Sequence, residues 1–242
     1  MWHQKGGLAL GAALLLLAAG CGDVVVGPGE VGSGELVTIT PDVGEFSQLE
    51  VGSAFEVVLV VGDDYRVTVR ADDNLVDQVE AEVAGDTLRL RLDGAAASPT
   101  LEAEVVLPQQ ALRGVSAAGA SNVAGAEVFT GDGFSVEAVG ASSIRLDLAV
   151  ETLDVDAVGA STVGVSGTAR SLAAEAAGAS TLQLFDLQSV EAVVSSVGAS
   201  TIEVTVSGSL DAEAVGASTI LYGGDPGQVQ ESTAGASTIM SR

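Results

Sequence analysis

Seven serines recur in the same tripeptide, Gly-Ala-Ser, and serines held in a fixed frame are candidate nucleophiles. The copies begin at Gly119, Gly140, Gly159, Gly178, Gly198, Gly216 and Gly235, 18 to 21 residues apart. A serine hydroxyl attacks only when a neighbouring base takes its proton. Beyond residue 20 the chain has no histidine and no lysine to do so, which points to a structural role. The second chemical candidate is carboxylate. Asp154, Asp156, Glu175, Asp211 and Glu213 recur at similar repeat positions and could line one strand face. Calcium accepts about six to eight hard oxygen ligands in loose geometry, so these five are weak candidates for a Ca²⁺ site. The stretches "VGDDY" (61–65) and "ADDNL" (71–75) could add ligands, although neither has EF-hand or repeat-in-toxin spacing. No other cofactor is expected.

A Ca²⁺-dependent, polysaccharide-degrading enzyme would put such carboxylates in a groove walled by long loops. Repeat spacings of 18 to 21 residues leave no room for long insertions. Paired carboxylates for glycoside hydrolysis also need one raised pKa in a pocket. The acidic residues are therefore read as a solvated face that aids solubility and blunts edge pairing.

One residue near the start promises covalent chemistry. Residues 1–20 hold a basic start with Lys5 and the apolar run "LALGAALLLLAA", too short for a membrane-spanning helix of about 20 residues. The run ends in "LAAGC", with the only cysteine, Cys21. This pattern resembles the lipobox of bacterial lipoproteins. The resemblance implies a cleaved signal peptide (1–20), diacylglycerol on Cys21 Sγ and acylation, as with palmitate, of the new amino terminus. Several acyl chains are enough for stable membrane attachment. Gly22 follows Cys21, so the aspartate that retains lipoproteins at the inner membrane of enteric bacteria is missing there. An outer-membrane location is expected if the host is Gram-negative.

Without residues 1–20 the chain keeps eight arginines against 33 acidic residues. Such a chain should be repelled by nucleic acid, whose binding depends on cations that neutralise phosphates. With one cysteine it forms no internal disulfide, so packing must hold it together. Val, Thr and Ile are plentiful and aromatics scarce, which favours β structure.

These candidates need elements to position them. Residues 21–45 are Gly-rich and read as a linker from the lipid, although "GELVTITPD" could be a short edge strand. Residues 46–111 alternate in "FEVVLVV", "YRVTVRA", "DTLRLRLD" and "EAEVVLP", the pattern of strands. The repeat occupies 112–242. Counting from each Gly as zero, position +4 is always aliphatic, as in Ile144, Val163 and Leu182. Position −2 is small and −6 mostly large and apolar, so these share one face of an extended chain. The other parity holds Glu137, Asp156, Glu175 and Glu213 at −3, and Thr162, Thr181, Thr201 and Thr219 at +3. A period near 19 with two such parities predicts stacked coils. The fold class expected is all-β: a right-handed parallel β-helix or solenoid of ~19-residue coils, preceded by an N-terminal region of alternating strands. Glycine lets each coil bend or approach its neighbour. Ser142, Ser161, Ser180, Ser200 and Ser218 then form an inward ladder bonded to the next coil. A sharp corner at Gly would reverse the facing on one side of it.

The order of motifs resembles a known family, the putative auto-transporter adhesin head GIN domain. The resemblance covers about Glu45 to Arg242. It rests on "FSQLEVGSAFEVVLVVGDDYRVTVRADDNLVDQV", "GDTLRLRL", "LPQQALRGVSAAGASNVAG" and the recurring "GAS". It implies an exported, often lipid-anchored β-helix, suggests adhesion, and supplies no catalytic residues. The Gly-Ile-Asn triplet of the name is absent; Gly119-Ala120-Ser121-Asn122 stands nearest to it.

The expected function is a non-catalytic, envelope-anchored binding, adhesion or structural module. Positions −1, +1 and +3, as in Val158-Ala160-Thr162, would form a flat strip of about 400 Å², the size at which an exposed patch starts to need explaining, unless residues 46–108 cover it or it is a plain β face. Thr162, Thr181, Thr201 and Thr219 border this face. The partners expected are the membrane through the anchor, a surface protein or glycan, or a second copy. Ice binding is an unfavoured alternative, because the outward pair is Ala-x-Thr and not Thr-x-Thr. At the C-terminus, Glu231, Thr233 and Ser241 put polar groups in inward slots, as an end coil should.

Overall fold

The computed structural model describes residues 30–97 and 99–242. The chain winds as a parallel β-solenoid of about seven turns with coils of about 19 residues. Each coil is nearly continuous strand: Asn122–Gly140, Ser143–Gly159, Thr162–Gly178, Thr181–Gly198 and Thr201–Gly216. Shorter strands, Thr219–Gly224, Gln228–Gly235 and Thr238–Ser241, complete the C-terminal end.

Alternation drives the winding, because every second side chain must leave water. Val123, Ile144, Val163, Leu182, Ile202 and Ile220 stack at position +4, all with 0% exposure. Phe134, Leu153, Leu172 and Leu210 stack at −6 on the other side of the corner and are also buried. The lumen is filled with side chains from the closed end to Ile220. Unequal coil lengths are absorbed by register shifts, between Ala124 and Val128, Gly164 and Gly167, and Leu184 and Gln188.

The N-terminal strands belong to the same stack and do not simply precede it. Gln48–Val51 pairs in parallel with Gly114–Ala117, and Glu56–Val61 with the start of Asn122–Gly140. On their far side lie Thr87–Leu92 and Leu101–Leu107, again parallel. From Gln48 the chain thus runs inside the stack, builds away from the repeats, and returns through the crossover Pro108–Arg113. Antiparallel strands close that end. Val79–Ala84 covers Thr87–Leu92, Arg66–Asp72 covers Leu101–Leu107, and Leu36–Ile39 covers Arg66–Asp72. The linker reading of 21–45 is corrected over its second part. Glu30–Val31 pairs with Ala96–Ala97, and Leu36–Ile39 is the edge strand that "GELVTITPD" could form. The buried Asp72 carboxylate fastens this segment, accepting from the Gly34 N–H at 2.8 Å and the Thr100 N–H at 2.7 Å.

Register reveals a further corner. Val51 aligns with Ala117 and Glu56 with Glu102 and Asn122. Ser53-Ala54-Phe55 therefore stands where the next coil has Gly119-Ala120-Ser121. Ser53 and Ala54 take left-handed φ values of 58° and 65°. Phe55 fills the slot that serines occupy elsewhere.

Candidate functional site

The Gly-Ala-Ser corners stack in one column along the solenoid. Their glycines have φ between +78° and +97°. From Gly140 onward, a Cβ would lie 2.6–2.8 Å from the glycine carbonyl oxygen one coil back. Both the conformation and the space exclude a side chain. The close approach is used: the Ala160 N–H donates to the Gly140 oxygen at 2.7 Å, and the Thr162 N–H to the Ser142 oxygen at 2.9 Å. The same pair of bonds repeats up the column.

Ser142, Ser161, Ser180, Ser200 and Ser218 all point inward with 1–2% exposure. Their hydroxyls reach the carbonyl three residues back in their own turn, as Ser180 does to Ala177 at 2.9 Å. Ser142, Ser161, Ser200 and Ser218 also reach a carbonyl of the preceding coil, that of Ala117, Gly140, Ala176 and Ser196 respectively. The ladder joins hydroxyl to backbone, within and between coils. The one hydroxyl pair is internal to a turn, Ser196 with Ser200 at 2.8 Å. A nucleophile needs access to substrate, and these serines have none.

The corner does not reverse the facing. Positions −2 and +2 are both buried, while −1, 0 and +1 are exposed wherever valine or alanine does not lean inward. The turn uses three residues and returns in phase. Its outer side carries Val139, Val158 and Val197, which are 36%, 48% and 44% exposed, and the exposed Ala141, Ala160, Ala179, Ala199 and Ala217. Residues 30–97 and 99–111 do not cover it. Thr162, Thr181, Thr201 and Thr219 are in register beside it, half-buried and about 4.8 Å apart.

Asp154, Asp156, Glu175, Asp211 and Glu213 lie exposed on the sheet before the corner. Glu137, Asp156 and Glu175 are successive members of one column. Although Asp156 is exposed, partial desolvation by its neighbours, and then the charges of Glu175, Glu137 and Asp154, push its carboxyl above the ordinary aspartate value. Val193 and Ser195 separate this group from Asp211 and Glu213. The five Ca²⁺ candidates are therefore not brought together. Among the described residues no three His, Cys, Asp or Glu side chains form a group that could hold a metal. A flat sheet spreads side chains along its columns, whereas a calcium cage needs a loop folded around the ion. In "ADDNL", Asp72 accepts from two backbone N–H groups, Asp73 accepts from the Ser33 hydroxyl and the Asn74 carboxamide donates to the Val31 oxygen, so the stretch fastens residues 31–34. Cys21 lies outside the described residues. Among those described, no helix is long and apolar enough to cross a membrane.

Four of the eight arginines lie at the closed end. Arg66, Arg70, Arg89 and Arg91 pair with Glu104, Glu102, Glu50 and Glu80 across neighbouring strands. Residues 122–216 carry 13 acidic residues against Arg145 and Arg170, and none of them forms an ion pair among the described residues.

The family model for the putative auto-transporter adhesin, head GIN domain, matches residues 45–226. The chain belongs to this family. The match begins with the strands that share the first corner and ends just before the last coil, Gln228–Gly235 and Thr238–Ser241. A putative adhesin from Bacteroides fragilis NCTC 9343 is similar over 88% of this chain and all of its own, at 25% identity and a TM-score of 0.81. A putative lipid binding protein from Parabacteroides distasonis ATCC 8503 has 18% identity and a TM-score of 0.72, with 88% and 98% covered. A putative adhesin from Parabacteroides merdae ATCC 43184 has 18% identity and a TM-score of 0.66, with 89% and 100% covered. Among curated proteins, none matches the sequence. The head GIN family and the Bacteroides fragilis relative support an adhesion-like, non-catalytic role.

Proposed function

We propose that this head GIN protein is a non-enzymatic adhesion module of the bacterial envelope, anchored through lipid on Cys21 and making contact through its Gly-Ala-Ser corner. The observation that carries the reading is the exposed valine and alanine strip with its in-register threonine column. Scattered exposed apolar residues need no explanation, but a contiguous row does. The strip is rigid, because each of its turns is bonded to the one before. A preorganised surface loses little entropy when it docks. The "LAAGC" sequence supports the anchor, and Gly22 supports the outer membrane in a Gram-negative host.

The test is the double substitution Thr181→Arg with Thr201→Arg in the full-length protein displayed on cells. Two long cations standing over the strip should abolish cell adhesion or self-association while the circular dichroism spectrum stays that of the parent. Unchanged adhesion together with unchanged self-association overturns the proposal.

A further inference from the structure

The crossover Pro108–Arg113 walls a groove on a different corner of the solenoid. It runs beside Thr130–Gly133 and Ala149–Glu151, away from the Gly-Ala-Ser column. The groove encloses about 840 Å³, within the range of small-ligand sites. A second depression of about 430 Å³ lies on the other side of Gln110 and Arg113, which line both.

The crossover is fixed in place. The Arg113 N–H donates to the Ser47 oxygen at 2.8 Å, and the Arg113 carbonyl accepts from the Ser135 N–H at 2.9 Å. The Gln109 carboxamide donates to the Val128 oxygen at 2.9 Å. The exposed Arg113 guanidinium makes no ion pair among the described residues, unlike the four arginines of the closed end. Facing the same space are the exposed carboxylates of Asp132 and Glu151. The second depression adds the half-buried Tyr65, whose ring is held edge-on by Phe46 with centroids 5.2 Å apart.

We propose that this groove binds a neutral oligosaccharide of a few sugar units. Each sugar hydroxyl both donates and accepts. Carboxylates take two donors, while guanidinium and carboxamide supply the opposing ones. Asp132 and Glu151 provide the acceptors, Arg113 and Gln110 the donors, and Tyr65 a fixed ring against which a sugar face can rest. The net charge of −24 and the groove's own carboxylates disfavour acidic glycans. The polar walls disfavour an acyl chain. This site is separate from the corner strip, so either can fail without the other.

The probes are neutral di- and trisaccharides of glucose, galactose, mannose and N-acetylglucosamine, titrated calorimetrically against the detergent-solubilised full chain. At least one should bind, and both Arg113→Ala and Glu151→Gln should weaken it by about tenfold or more, the loss expected when a bound hydroxyl loses a charged partner. Both residues are exposed, so thermal midpoints should stay at the parent value. The Thr181→Arg, Thr201→Arg protein should bind the sugar normally. Absence of binding to every neutral probe, binding undiminished in both groove variants, or preference for acidic glycans overturns the assignment.

Discussion

At Gly178, as at the other corner glycines from Gly140 onward, two constraints coincide. Its φ is +86°, and a Cβ would lie 2.6 Å from the Gly159 oxygen. Gly85 shares the left-handed conformation at φ +71°, but nothing lies within 4 Å of its missing Cβ. Gly178→Ala should therefore lose the conformational cost of about 1–3 kcal/mol and the displaced backbone contact as well. Gly85→Ala should lose only the first. Urea denaturation of both variants measures the difference, and equal losses would show that the close approach between coils costs nothing. The role of these residues was readable because they recur: seven copies with no base in reach leave a corner as the simplest account. Ser53-Ala54-Phe55 makes the same turn unseen. It has neither the glycine nor the serine, and only strand register exposes its equivalence.

At the scale of the strand, the parallel register that stacks valines inside also stacks like charges outside. Glu137, Asp156 and Glu175 stand in one column, and parallel strands lie about 4.8 Å apart. The Asp156 carboxyl is raised above its ordinary 3.8, by partial desolvation first and its acidic neighbours second. The folded chain thus holds that proton more tightly than the unfolded chain. Ionised Asp156 weakens the fold at neutral pH, and the penalty fades as pH falls through the raised value and below the ordinary one. Asp156→Asn should stabilise at neutral pH by about 0.2–1 kcal/mol, the usual size of a cross-strand pair. The gain should vanish near about pH 3, where an unperturbed aspartate is mostly protonated. Thermal melts across pH test this; a variant less stable than the parent at neutral pH would contradict it. Alternation revealed that these carboxylates share a face. Counting from Gly198 also puts Val193 at −5 and Ser195 at −3, so the coil that divides the carboxylates is written in the repeat, and no bulge between there and the corner displaces it.

At the scale of the molecule the two ends differ. Antiparallel strands close one end, while Gln228–Gly235 and Thr238–Ser241 leave the other open among the described residues. Glu231 lies opposite the buried Ala212, in the inward register that the sequence indicated. There it meets the Tyr222 hydroxyl, whose pKa burial and this contact push upward. A polar last coil suits an end that faces water. The closed end was not legible, because its strands pair out of chain order and alternation does not state who pairs with whom. The crossover groove was missed for the same reason. Coil spacing excluded long loops from the repeats, but the return past the first coil needs one. Between the ends lies a rigid column whose exposed corner is the proposed contact face. Cysteine labelling tests that claim most directly. Ala179→Cys lies on the strip and Ala173→Cys on the acidic sheet, both exposed, with the parent chain and its single Cys21 setting the background. In adhering cells, maleimide should label Ala179→Cys more slowly than in the same cells dispersed, and Ala173→Cys at the same rate in both. Equal labelling of Ala179→Cys in both states, or protection confined to Ala173→Cys, would contradict the account.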